Sequence, residues 1–192
     1  ENFFIRILRG SGLNGLVSLD KKIQNNKVNL IRPLLDFDKK DLIYIANYIF
    51  GSYVKDPSNE NDKFKRVKIR NFLKQLKDEG LDRKKFILTI NNLKYANETI
   101  KFYTKKNLEE NVSFLEKKKS VILNHNFFCH PNEIVFRSIT EIIKFIGKKY
   151  YPVRGSKISR IIKLVEEKTS FKVTLGRCLI KRIDQSIIVT KE

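Results

Sequence analysis

Two stretches of this chain combine residue types that can handle phosphate. The first is Arg9-Gly10-Ser11-Gly12-Leu13-Asn14-Gly15-Leu16. Glycines let a backbone approach a phosphate closely and adopt positive φ. A helix starting just after them turns its free N–H groups toward an anion. Arg9 adds a forked cation suited to phosphate oxygens, although a glycine-rich turn between two helices also forms without a ligand. The second stretch runs from Asp56-Pro57-Ser58-Asn59 to Arg70. Proline fixes one dihedral and the short polar side chains bond the neighbouring backbone, so a turn delivers the chain into a strongly basic helix. Arg66 and Arg70 stand four apart on one face, placed to grip a phosphodiester. A solvated face of an amphipathic helix has the same pattern.

The surrounding pattern predicts the elements that must hold these residues. A short helix is expected over 2–9 with Phe3, Phe4, Ile7 and Leu8 on one side, broken by Gly10, Gly12 and Gly15. Val28–Ile31 reads as a strand ended by Pro33. Asp38 is placed to cap a helix whose apolar stripe is Leu42, Ile45, Ala46 and Ile49, stopped by Gly51. The basic helix is expected from about Asn61 to Glu79, with Ile69, Phe72, Leu73 and Leu76 inward and Lys63, Arg66, Arg70, Lys74 and Lys77 outward. Asp82 opens a second long helix, with Phe86, Ile90, Leu93 and Ile100 inward, running past Leu108. After Lys117-Lys118-Lys119 come β-prone stretches at Val121–Leu123 and Phe127–Cys129. A helix with Ile139, Ile142, Ile143 and Ile146 ends at Gly147. Ser156 is expected to cap another, with Ile158, Ile161, Ile162 and Val165 inward and Lys157, Arg160 and Lys163 outward. The tail alternates like a hairpin around Asp184-Gln185. Gly80 divides the chain into expected domains 1–80 and 81–192.

Composition narrows the partners. A net charge of +19 over 192 residues, with a pI near 9.9, points to a polyanion, because Lys and Arg release the counterions condensed on phosphates. The abundance of Lys, Asn, Ile and Phe also reflects AT-rich coding. No apolar run reaches the length of a membrane span. Cys129 and Cys178 make neither a disulfide framework nor a zinc spacing, and suit a reducing cytoplasm. His125, Cys129 and His130 cluster without a second ligand pair, so no metal site is expected. Methionine is absent even at position 1, which reads as a fragment or processed product.

The two phosphate-handling stretches also match a family pattern in order and spacing. Glu1-Asn2, Arg6, Arg9 and the Gly-Ser-Gly turn resemble the end of a His-His-x-Asp-Asp-Gln-x-Glu-Thr/Asn stretch leading into Arg-Gly-Ser/Thr-Gly-x-x-Gly-Leu. Ile31-Arg32-Pro33-Leu34-Leu35 resembles an Arg-Pro-Leu-Leu element. Asp56 to Arg70 resembles Asp-x-Ser-Asn-x(4)-Tyr-x-Arg-Asn-x-Ile-Arg, with Phe64 in place of Tyr and Val67 in place of Asn. These are features of the tRNA(Ile)-lysidine synthases, members of the PP-loop ATP pyrophosphatase superfamily. The resemblance is strong over about 1–75. It is looser at the later helices, at Tyr151-Pro152-Val153-Arg154 and at Thr174-Leu175-Gly176.

The resemblance implies a mainly α chain drawn from an α/β parent: the carboxy-terminal remnant of a Rossmann-like PP-loop domain, then a helical, tRNA-contacting domain with a small β-hairpin element. It implies a ligase that adenylates the wobble cytidine of an isoleucine tRNA with ATP and attaches free lysine, with Mg2+ accompanying ATP. The roles it implies are Glu1 and Arg66 in catalysis and Arg9, Gly10, Ser11 and Gly12 at ATP. Lys63, Arg70, Lys74, Lys157, Arg160 and Lys163 would meet tRNA. A homodimer stays open. The Ser-Gly-Gly-x-Asp-Ser loop is not in the chain and is expected upstream, so residues 1–192 alone are expected to be inactive, to bind ATP weakly, and to expose Phe3, Phe4 and Leu30. The alternatives are a non-catalytic basic RNA-binding module, or a tRNA-thiolating ATP pyrophosphatase, whose usual cysteines the matched motifs lack.

Overall fold

The computed structural model describes residues 1–17, 21–25, 28–61, 63–115, 119–167 and 169–192. Asp62 of the second motif, and Lys117 and Lys118 of the lysine run, lie outside the described residues. Contacts divide the chain into two compact units, Glu1–Asn97 and Glu98–Glu192, so the division falls inside a long helix past Gly80.

The first unit is built around α1 (Asn2–Ile7), α4 (Lys65–Asp78) and the first turns of α5 (Arg83–Asn111). Four phenylalanines tie them together. Phe4 stacks on Phe86 at 5.5 Å and meets Phe72 edge-on at 6.0 Å, and Phe3 meets Phe86 edge-on at 5.3 Å. Each such pair adds about 0.5–1.5 kcal/mol beyond the area it buries. Phe3 and Phe4 are therefore half-buried, against the expectation that they are exposed, while Ile7 and Leu8 point to solvent. Leu30 is exposed as expected. In α4 the buried residues are Val67 and Ile69. The position where the resemblance leads one to expect Asn is thus a core position, and the Val methyls replace a polar contact with burial.

Gly10 closes α1 at φ +66, with its own N–H and that of Ser11 returning to Ile7 O and Arg6 O. The short helix α2 (Leu13–Leu16) follows. Strands β1 (Lys22–Asn25) and β2 (Val28–Ile31) pair antiparallel, and every strand pairing among the described residues is antiparallel. Helix α3 (Lys39–Phe50) begins with a capping box between Asp38 and Asp41 and ends at Gly51, which adopts φ +73. Its Leu42, Ile43 and Ala46 are half-buried, whereas Ile45 and Ile49 of the expected stripe are exposed.

The second unit holds the larger core. The carboxy-terminal turns of α5 lead into a five-stranded sheet of order β3-β4-β7-β6-β5, formed by β3 (Val112–Leu115), β4 (Ser120–Leu123), β5 (Lys172–Leu175), β6 (Cys178–Ile183) and β7 (Ser186–Lys191). The hairpin at Asp184-Gln185 is therefore one part of a wider sheet. Helices α6 (Asn132–Ile146) and α7 (Gly155–Glu166) bury Ile139, Ile142, Ile143, Ile146, Ile158 and Ile161 in the same core. Phe127–Cys129 is not a strand. Asn124 Oδ1 accepts from Phe127 N at 3.0 Å and winds His125–Phe128 into a 3-10 turn. Arg154, not Ser156, is the N-cap of α7, because Gly155 already lies in the helix beside the ring of Phe136. No helix among the described residues is long and apolar enough to cross a membrane.

Candidate functional site

Two adjoining clefts in the first unit gather Glu1, Arg9, Arg66 and Arg70 of the residues singled out above. One, of about 540 Å3, is lined by Arg6, Arg9, Ser58, Asn59, Arg66 and Arg70, among others. The other, of about 590 Å3, is lined by Glu1, Arg6, Arg66 and Lys94 over an apolar floor of Val17, Phe86 and Ile90. Asn2, Arg6 and Arg66 line both. These volumes suit a ligand of nucleotide size.

The arginines divide by what they bond. Arg6 Nη1 donates to Gly15 O, which pins the glycine turn to the side of α1. Arg70 Nε donates to Glu1 Oε1 at 2.6 Å, and its Nη1 donates to Asn59 O at 3.2 Å. It therefore holds both the start of the chain and the turn before α4. That ion pair is about one-third exposed on each side, so solvent screens most of its worth. Arg9 and Arg66 make no side-chain bond to any described residue. Of the four arginines that line this cleft, two are structural and two are open to a ligand.

The turn before α4 is built by Asp56, whose carboxylate accepts from Ser58 N at 2.9 Å. Hydrogen bonds from the Ser58 side chain, and then from its backbone, hold the Asp56 carboxyl below its ordinary value. Asn14 Oδ1 accepts from the buried Asn97 Nδ2 at 3.4 Å, anchoring the far side of the glycine turn to α5.

Glu1, Arg9, Arg66 and Arg70 thus come together around the two clefts. Gly10, Ser11 and Gly12 line neither, and their visible task is to turn the chain after α1. Lys63 precedes α4 and Lys74 lies farther along it, both exposed. Lys157, Arg160 and Lys163 are exposed on α7 of the second unit. Sequence reasoning did not single out Lys94 or assign a site role to Arg6. Arg6 left a signal, since it lies one helical turn before Arg9. Lys94 left none, because one lysine on a long basic helix looks like any other. Among the described residues no group of three or more His, Cys, Asp or Glu could hold a metal. Among the described residues Glu1 is the only carboxylate lining either cleft, and it is paired with Arg70, so these residues do not make a magnesium site by themselves.

Residues 1–77, which carry the glycine turn, the polar turn and the paired arginines, match the family model described as PP-loop domain. The whole chain is homologous to proteins named tRNA(Ile)-lysidine synthase. It is 31% identical over 193 residues to the one from Wolbachia sp. subsp. Brugia malayi (strain TRS), covering all of this chain and 45% of that protein. It is 28% identical to the one from Wolbachia pipientis wMel over all of this chain and 45% of the relative. It is 30% identical to the one from Rickettsia akari (strain Hartford) over all of this chain and 44% of the relative. The chain therefore spans less than half the length of these curated relatives.

Proposed function

We propose that this chain is part of an ATP-dependent ligase that modifies the wobble cytidine of an isoleucine tRNA with lysine. In this reading the first unit is the carboxy-terminal part of a Rossmann-like PP-loop domain, and the second contacts tRNA. The observation that carries it is the sharing of one basic cleft by Arg9, beside the glycine turn, and Arg66, beside the polar turn, with both guanidinium groups open to a ligand.

The reaction runs in two steps. The cytosine keto oxygen attacks the α-phosphorus of ATP, the bond to the leaving pyrophosphate breaks, and the base is adenylated. The lysine side-chain amine then forms a C–N bond at the same carbon, and AMP leaves with the oxygen. Charge grows on the phosphoryl oxygens in the first step, where fixed cations are most effective. Arg66 takes that role, with Arg9 beside it. Glu1, held by Arg70, offers a carboxylate to the ammonium of lysine. The target base must leave its stack to reach the cleft. Lys63 and Lys74, with Lys157, Arg160 and Lys163, supply backbone contacts that hold the tRNA.

The test uses the product of the complete open reading frame, an isoleucine tRNA transcript, ATP and radiolabelled lysine. The expected result is ATP-dependent transfer of label to the wobble cytidine with stoichiometric AMP and pyrophosphate. RNA binding without ATP hydrolysis or label transfer would favour the non-catalytic RNA-binding module instead.

A further inference from the structure

A cavity of about 170 Å3 lies in the second unit, and none of its lining residues has a part in the proposed chemistry. Val135 and Ile187, both buried, line its interior, and Phe128, Ile162 and Val165 line its apolar walls. Phe128 is braced by Phe127, edge-on at 4.9 Å. His125, Asn132, Glu166 and Gln185 supply its polar lining, and none of these side chains bonds any described residue. Arg182 also lines it, fixed by donating to Val165 O at 3.0 Å and Asp184 O at 3.1 Å. The volume is below the roughly 300 Å3 at which sites for drug-sized ligands begin. It suits one flat ring system and excludes a whole nucleotide.

The surroundings say what kind of ring. Lys157, Arg160 and Lys163 recur every third residue along α7, and the next step of that ridge is Glu166. Lys163, Ser159 and Glu166 line an adjoining cavity of about 250 Å3, which shares Asn132 and Ile162 with the first. A cationic ridge therefore leads to a small apolar hole bordered by solvent-exposed amide, imidazole and carboxylate groups. A phosphate would be repelled by Glu166, whereas a base with an exocyclic amine can donate to it and to the Asn132 and Gln185 amide oxygens. Phe128 offers a face for stacking.

We infer that this cavity receives a single unpaired, amine-bearing nucleobase of an RNA strand whose phosphates lie along the Lys157, Arg160 and Lys163 ridge. The inference rests on the reading of the second unit as RNA-contacting, and names a base subsite within it. Glu166 and Gln185 are specificity residues, and Phe128 is the stacking platform.

Fluorescence anisotropy of the 192-residue chain with three labelled decamers, oligocytidylate, oligouridylate and an abasic strand of equal phosphate number, tests it. The wild-type chain should bind oligocytidylate about tenfold more tightly than the abasic strand, the effect of one stacked base. It should bind oligouridylate more weakly than oligocytidylate. Glu166→Gln and Gln185→Ala, both at exposed positions, should each cut the cytidine margin over the abasic strand at least threefold, with abasic binding unchanged in Gln185→Ala and no weaker in Glu166→Gln, which loses a charge that repels phosphate. Equal binding of cytidine and abasic strands, or a margin that neither variant alters, would overturn the base subsite while leaving RNA contact standing. Failure to bind any of the three strands would overturn the RNA-contacting reading and the subsite with it.

Discussion

Arginine serves two purposes in the first unit, and the difference lies in what each guanidinium touches. Arg6 and Arg70 are spent on Gly15 O, Glu1 and Asn59 O, while Arg9 and Arg66 are open to a ligand. Arg70→Ala should therefore act through Glu1 and the polar turn. It should weaken lysine binding, read as a raised KM for lysine at little-changed ATP affinity, and Arg70→Lys should restore part of it. Val67→Asn should lower the stability of the first unit by about 1–3 kcal/mol in urea unfolding, because an amide without a partner would enter the core at a position only 7% exposed. Cys129 is exposed, and Cys178 is buried with its thiol pushed up to about 11 by desolvation and then by Glu192. Native iodoacetamide labelling should modify Cys129 and spare Cys178 until the chain unfolds. Because the folded thiol pKa is raised, the stability it confers is complete below the ordinary thiol value. It is lost as pH climbs toward about 11.

At the scale of elements, helix spacing in the sequence carried most of the second unit. The isoleucines at 139, 142, 143 and 146 are all buried on α6, and Ile158 and Ile161 are buried on α7. Strand β3 was not legible, because its pairing with β4 is a tertiary choice that the local pattern after Leu108 does not announce. Nor was the join of β4 to β7, made between residues far apart in the chain. In the first unit the motifs marked the cleft, but the packing of Phe3, Phe4, Phe72 and Phe86 was hidden, since aromatic clusters have no fixed spacing across three helices. The Asp56 turn makes an acid-side prediction. Its depressed carboxyl supports the turn above the ordinary carboxylate range and ceases to do so as pH falls through the lowered value. The Ser58 amide resonance should hold steady through the ordinary carboxylate range and move only at more acid pH. At the end of α6, a Cβ on Gly147 would come within 2.0 Å of Gly176 O. Gly147→Ala should therefore cost on the order of 1–3 kcal/mol through a forced backbone shift.

For the whole molecule, the dominant physical fact is the charge of +19. Charge alone gives affinity for any polyanion with a steep salt dependence, so binding to tRNA in itself discriminates poorly between a ligase and a basic binding module. Chemistry at Arg66 does discriminate. The decisive measurement is tRNA-dependent ATP–pyrophosphate exchange by the product of the complete open reading frame, comparing wild type with Arg66→Ala at matched salt. The account predicts a fall in exchange of about 100-fold or more, with tRNA affinity within about threefold of wild type, the effect of losing a single phosphate-facing cation at most. Exchange that survives the substitution unchanged would contradict it.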